Sequence, residues 1–520
     1  MTKYRSTRGD VRNYSFEEAV LSGLASDRGL FVPEEDSFPS LPPNALTEWA
    51  SLSYQDLAVE ILSLFIDAKE IPRRDLEVLV KKAYTFGDAN YRHKDVAPLV
   101  KVKGNLHVLE LFHGPTFAFK DIALQFLGHL FEYFLERKNK HSDSVHQVTV
   151  VGATSGDTGS SAIYGLRNKK NVEVFILYPN GRVSDIQEQQ MTSVLDDSVH
   201  NLAVQGTFDD CQAIVKDLFA DAAFKKKYNL GAVNSINWAR ILAQIVYYFY
   251  AYFRLPTHDK VAFSVPTGNF GDILAGFYAK RLGLPLDKLI VATNDNDILH
   301  RFFSSGKYHR THVNHTTSPS MDICVSSNFE RYLFALGGDD AVVLKDWMTK
   351  FESTGKLTVQ GSLLKKAQAD MSSYSVLEPE VQATIKQYHV HHDYLFDPHT
   401  AIGVAAADHY LESESPDATV VVLATAHYGK FLPTVLDALK EDGGEVKQHP
   451  ILKALETLPR RSHVIENSVV SVKAFVESHV QRRDAKEGGG FLSGLPQSLL
   501  LQGSLVVAAA GLVAFYALKK

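Results

Sequence analysis

At 520 residues the chain is too long for one ordinary domain, so two or three are expected. Hydrophobic residues at 45% and charged residues at 22% describe a folded protein with sizeable cores rather than a disordered one. A net charge of −6 gives no electrostatic reason to bind nucleic acid, and two cysteines, Cys211 and Cys324, cannot build a disulfide framework.

In chain order, residues 1–36 carry acidic groups from Asp10 to Asp36 and no early apolar run. That is unlike a transit peptide or a secretory signal, so the folded body is expected in the cytosol. Tyr14 to Ala68 reads as mainly helical, with Ser15 before Glu18 as a start and Pro33, Pro39, Pro42 and Pro43 as interruptions. From about residue 100 strands alternate with helices. The runs 147–151, 172–178, 261–265, 289–293 and 419–425 are short, apolar and rich in Val and Ile. Such runs, ending in Gly/Ser/Thr loops, predict parallel sheets covered by helices, with ligands at the carboxyl ends of the strands. Phe119 to Leu135 predicts a helix with an apolar stripe and Lys120 in its first turn. Residues 339–383 read as a helical insertion.

His389, His391, His392 and Asp393 have metal-binding chemistry, but alternation along an extended segment puts only His389 and His391 on one face. No metal site is expected there. At the end, residues 498–518 hold no charged side chain. As a helix they would span roughly 31 Å, close to the ~30 Å core of a bilayer. A tail anchor is expected, behind a linker that carries Arg482, Arg483 and Lys486.

Three segments carry chemistry. Lys120 ends the run His113-Gly114-Pro115-Thr116-Phe117-Ala118-Phe119-Lys120. Gly152 to Gly159 follows a predicted strand and offers the hydroxyls of Thr154, Ser155 and Thr158. Gly268-Asn269-Phe270-Gly271-Asp272 follows another. Neither glycine-rich loop contains the lysine that a nucleotide-binding P-loop requires. Two cradles suggest two phosphates, one on a cofactor and one on a substrate, and a remote lysine suggests Schiff-base chemistry. This combination points to pyridoxal phosphate (PLP) acting on a phosphorylated amino acid. A cation in the first turn of a helix gains nothing from the helix dipole, which favours a functional reading of Lys120. Asn234 and Arg240 precede a long apolar helix, and the planar fork of Arg240 suits a phosphate.

Together these segments resemble the threonine synthase family in its fungal form. The resemblance runs from Tyr4-Arg5-Ser6-Thr7-Arg8 to about Val480 and includes Asp397-Pro398-His399-Thr400 and Thr425-Ala426-His427. It implies two open twisted α/β sheet domains of the tryptophan synthase β-like PLP fold, with a mainly helical N-terminal region. The implied division is a first region at 1–98, a large PLP-binding domain at 99–146 and 256–480, and a small domain at 147–255. A linker at 481–497 and the candidate transmembrane helix at 498–518 follow. Lys120 would carry the cofactor as a Schiff base. Gly268, Asn269, Phe270, Gly271 and Asp272 would hold its phosphate, and Thr425 would hydrogen-bond its ring nitrogen. Ser155, Asp157, Thr158, Asn234 and Arg240 would surround O-phospho-L-homoserine. The implied reaction expels phosphate from Cγ, adds water at Cβ and yields threonine. A related phospho-lyase would use the same site to give 2-oxobutyrate, ammonia and phosphate, and a tethered scaffold would keep the fold without catalysis. The sequence departs from the family at Tyr428-Gly429-Lys430-Phe431, where proline usually follows the histidine.

Overall fold

The computed structural model describes residues 2–87, 90–440 and 446–488. The described chain forms two compact units, one up to Ser468 and one from Val469. The second consists of the helix Val469–Gly488. Among the described residues no helix is long and apolar enough to cross a membrane. The candidate anchor at 498–518 lies outside the described residues.

The first unit is built on two sheets. The larger has six strands in the order Met371–Ser375, Lys288–Thr293, Val261–Pro266, Thr419–Ala424, Leu106–Glu110, Leu99–Lys103. All neighbours run parallel except the last pair. The smaller has five parallel strands, in the order His463–Ile465, Val199–Val204, Val172–Pro179, Val148–Ala153, Leu230–Gly231. The chain thus returns to the smaller sheet at His463, well beyond residues 147–255. Every residue of 172–179, 199–204, 261–266 and 419–424 is buried. Burial on both faces is why these strands read as continuous apolar runs.

Helices fill the space around the sheets. Trp238–Tyr252 is buried along its whole length and is apolar nearly all round, as a core helix must be. Its first residue, Trp238, packs against Tyr4, Phe65 and Tyr278 at ring separations of 5.9, 6.0 and 5.2 Å. The N-terminal segment is therefore part of the core. It is mainly helical, as expected, and adds one short strand pair. Tyr4–Ser6 and Phe31–Pro33 form an antiparallel pair before the helices Tyr54–Phe65 and Arg73–Ala83. The expected start at Ser15 is a full capping box with Glu18.

Two further expectations change. Residues 339–383 are not simply helical, because Met371–Ser375 is the edge strand of the larger sheet. Its sequence is polar since only one side of an edge is paired, and Ser372 and Tyr374 spend their hydroxyls on Glu414 at 2.7 and 2.5 Å. His389, His391 and His392 sit in the last turn of the helix Glu378–His392, not on an extended segment. Histidines there face the negative end of the helix dipole.

Candidate active site

The carboxyl ends of the strands Val261–Pro266 and Thr419–Ala424, with the loop after Val148–Ala153, border a cavity of about 400 Å³. Lys120, Asp157, Thr158, Asn234, Arg240, Gly268, Asn269, Phe270, Gly271, Asp272 and Thr425 all line it. Ser155 lies in the same loop as Asp157 but is not among the lining residues.

Lys120 is the first residue of the helix Lys120–Asn139. The preceding loop is laced to the neighbouring strand end: Phe119 N donates to Thr425 O at 2.8 Å, and Ala118 bridges Ala426. Thr116 fixes the turn by donating its N–H and hydroxyl to Asp121 at 2.8 and 2.7 Å. The Lys120 ammonium lies 3.7 Å from Asp157 Oδ2. Burial pulls its pKa down, Asp157 opposes, and the cations Lys430 and Arg240 push it further down. An amine held this way spends more time neutral, which is the nucleophilic form.

Asp157 opens the helix Asp157–Leu166. It follows Gly156, whose φ of 144° and closeness to Gln187, 2.2 Å from an added Cβ, leave room for glycine alone. Its carboxylate accepts from Gln187 Nε2 at 2.9 Å and from Ser320 at 3.4 Å. Lys430 Nζ approaches Oδ1 at 2.7 Å. Burial alone would raise this pKa, but the ammoniums of Lys430 and Lys120 outweigh it and hold the carboxyl well below the carboxylate range.

The second loop runs from Pro266 to the helix Gly271–Leu282, with Phe270 left-handed at φ 63°. A Cβ on Gly268 would sit 2.9 Å from Ser320 O and 3.3 Å from Met321 Cα. Glycine thus lets the Ser320 segment close over the loop. Ser326 donates to Gly268 O, and Asn328 N to Asn269 O at 3.1 Å. First-turn N–H groups of a helix have no intrahelical partner, so this end offers donors to an anion. Asp272 looks out of place beside an anion. Burial, however, raises its pKa to about 7, even though the Tyr247 and Tyr248 hydroxyls donate to its Oδ1. Its Oδ2 is buried without a hydrogen-bond partner.

Arg240 supplies the strongest unmatched group. It is fully buried, and burial lowers its pKa to about 10, so it stays charged at neutral pH. It donates to Val233 O at 2.9 Å, yet its Nε has no partner, and among the described residues no carboxylate pairs with it. Buried charge is normally paired. A cation left open toward a cavity fits an anionic ligand. The donor set as a whole fits PLP and a second anion: one amine, a glycine-walled helix terminus, a hydroxyl at Thr425 and a separate buried guanidinium.

Several lining residues were given no role from the sequence. Ser320 arrives from a distant loop, and His399, quoted only within the 397–400 segment, stands in the first turn of the helix Pro398–Ser413. The His399 Nε2 accepts from Ser320 N at 3.2 Å, so its proton is on Nδ1, facing Asp397 at 2.8 Å. Phe208, Gln212, Val215 and Lys216 present one face of the helix Phe208–Ala220 to the cavity. Their spacing is helical, but only the fold shows which way that face points.

Comparison with known proteins agrees with this geometry. Residues 3–84 match a family described as threonine synthase N terminus, 93–351 match pyridoxal-phosphate dependent enzyme, and 400–476 match threonine synthase, C-terminal. The chain is 51% identical over 455 residues to a threonine synthase of Schizosaccharomyces pombe, covering 82% of this chain and 87% of that one. It is 45% identical over 485 residues to a threonine synthase of Pseudomonas aeruginosa, covering 92% and 99%. Among solved structures, a threonine synthase from yeast superposes with a TM-score of 0.87 at 46% identity, covering 92% of this chain and 99% of that chain. A PLP-bound threonine synthase from Brucella melitensis gives 0.86 at 44% identity, with the same coverage. With three family matches and this likeness along nearly its whole length, the chain belongs to the threonine synthase family of PLP-dependent enzymes.

Proposed function

We propose that the chain converts O-phospho-L-homoserine and water into L-threonine and phosphate. The observation that carries this reading is Arg240, a buried and unpaired guanidinium in the same cavity as Lys120 but apart from the Gly268–Asp272 cradle. A guanidinium left without a carboxylate partner suits a second anion beside the cofactor, and the phosphate of the substrate supplies one.

Lys120 would hold the cofactor through its amine. Gly268 to Asp272 would take the cofactor phosphate, with Asp272 in its acid form, and the Thr425 hydroxyl would face the ring nitrogen. Bound PLP supplies the electron sink that lets protons leave carbons near the substrate amine. Arg240, Asn234 and Thr158, which line the cavity, would hold and orient the substrate's phosphate, so that it departs from Cγ and not by chance hydrolysis. Lys120, released by the substrate amine, is the base positioned to take the Cα proton. Protons leave Cα and Cβ, phosphate leaves Cγ and a proton returns to Cγ; water then bonds through its oxygen to Cβ and gives up a proton, and a proton returns to Cα. The apolar run 498–518 enters no step of this reading.

The test uses the full chain loaded with PLP and given O-phospho-L-homoserine, with phosphate, threonine and 2-oxobutyrate measured together. Threonine should equal phosphate, and Lys120→Ala should lower the rate by at least ~10²–10⁴-fold. Phosphate matched by 2-oxobutyrate would replace this reading with phospho-lyase chemistry. No phosphate release would sink both.

A further inference from the structure

Lys430 departs from the expectations raised by the sequence. It belongs to the turn Tyr428–Phe431, which begins three residues after Thr425, and its side chain is fully buried. Its ammonium makes two contacts, 2.7 Å to Asp157 Oδ1 and 2.9 Å to Thr116 O. Thr116 leads into the Lys120 helix, and Asp157 begins the next one. One carboxylate therefore stands between two lysines: Lys430 holds Oδ1 closely, while Lys120 stands 3.7 Å from Oδ2.

We propose that Lys430 is a positioning residue for Lys120: by occupying Asp157 it prevents a tight Asp157–Lys120 ion pair and leaves the Lys120 amine free to react. This rests on the reading of Lys120 as the cofactor lysine. If Asp157 faced Lys120 alone, it would draw that ammonium into a full salt bridge and keep it protonated. With Lys430 present, the two buried cations share one anion. The other charges facing Lys120 are Arg240 from the Trp238–Tyr252 helix, Asp121 from its own helix and Asp272 from the phosphate cradle. His399 also influences Asp157, and Ser320 bonds both of them. None of these approaches Asp157 as closely as Lys430, and Gln187 and Ser320 contact it as neutral donors. The contact with Thr116 O gives Lys430 a second role, since it fixes the turn that sets where Lys120 begins its helix.

The full chain loaded with PLP carries its own readout, the pH midpoint of the visible band of the protein-bound cofactor. Lys430→Met and Lys430→Gln should raise that midpoint by about one to three pH units, because an uncompensated carboxylate then favours the protonated form. Lys430→Arg, which keeps the charge, should stay near the unsubstituted protein. Lys430→Gln retains donors for Asp157 and Thr116, so it decides the question if Lys430→Met fails to fold. Wild-type midpoints in the Gln variant, or an Arg variant shifted as far as it, would overturn the proposal. A cofactor-free comparison separates this from the function itself: acetylation of Lys120 against pH, followed by peptide mass spectrometry. A Gln variant whose Lys120 labels only at higher pH supports the proposal even if the chain binds no PLP, an outcome that would count against the functional reading instead. Identical labelling profiles would overturn the proposal.

Discussion

Asp272 shows how much a single residue's surroundings decide. An aspartate at the mouth of a phosphate cradle is repulsive if ionised and a hydrogen-bond donor if not. Burial, only partly offset by the Tyr247 and Tyr248 hydroxyls, brings its pKa to about 7 from the usual aspartate value of 3.8. The sign follows from proton binding. Between about pH 4 and pH 7 the folded state keeps a proton that the unfolded state has lost, so stability is present in full below that window and falls as pH rises through it. Asp272→Asn removes the titration. In the cofactor-free protein, the unsubstituted chain should lose a few kcal/mol more than Asp272→Asn between pH 5 and pH 8. Thermal midpoints of both at the two pH values are the check, and parallel pH slopes would show that Asp272 is ionised throughout. Lys120 and Asp157 obey the same logic with opposite results. Burial works against charge on both, but Asp157 has two lysine ammoniums to answer it, whereas Lys120 shares Asp157 with Lys430 and is pushed down further by Lys430 and Arg240.

At the scale of elements, the site depends on two helices lying unusually close. Lys120 starts one and Asp157 starts the other. The helices touch where Gly128 faces Gly165: a Cβ on Gly128 would lie 1.9 Å from Gly165 O, and one on Gly165 would lie 2.4 Å from Leu124 O. Both obstacles are backbone, so no rotamer change relieves them. Gly128→Ala must push the helices apart, at a cost of about 1–3 kcal/mol. Because the two lysine–carboxylate contacts sit at the ends of these helices, the variant should also bind PLP more weakly. A lower thermal midpoint with a higher Kd for PLP is the expected pair of results, and unchanged PLP binding would show that the helix starts are held independently of their packing. The same elements show what the sequence makes legible. Strands such as Val261–Pro266 and Thr419–Ala424 are buried on both faces, so composition alone reveals them. Met371–Ser375 is a sheet edge and Tyr4–Ser6 is three residues long, so neither develops a pattern. The glycine-rich loops at 152–159 and 268–272 are local patterns that follow strands, so their place beside the cavity is readable. Ser320 reaches the site from a distant loop with no motif beside it, and Lys430, although close to Thr425 in sequence, stands where a surface lysine would read the same.

At the scale of the molecule, Arg331 joins parts of the chain that are distant in sequence. It is buried in the helix Phe329–Leu336 and spends its donors on three groups: Phe31 O at 3.0 Å, Asn328 Oδ1 at 2.6 Å and Ile236 O at 2.7 Å. Phe31 belongs to the N-terminal strand pair. Ile236 lies between Asn234 and Arg240 in the segment that lines the cavity. The guanidinium also stands 5.8 Å from the ring of Trp238, where Tyr4 and Phe65 pack. No lysine can replace it, because a single ammonium cannot span acceptors that a planar fork reaches together. Arg331→Met fills similar space but strands two buried carbonyls and an amide oxygen, which should cost about 3–5 kcal/mol. The loss should appear in two places, since the residue connects two. The thermal midpoint should fall by several degrees. KM for the phosphorylated substrate should rise more than kcat falls, because Asn234 and Arg240 lose their support while Lys120 and the Gly268–Asp272 cradle keep theirs. Arg331→Lys should recover only part of either effect. A variant with a lowered midpoint and an unchanged KM would mean that the N-terminal region stabilises the fold without shaping the substrate pocket.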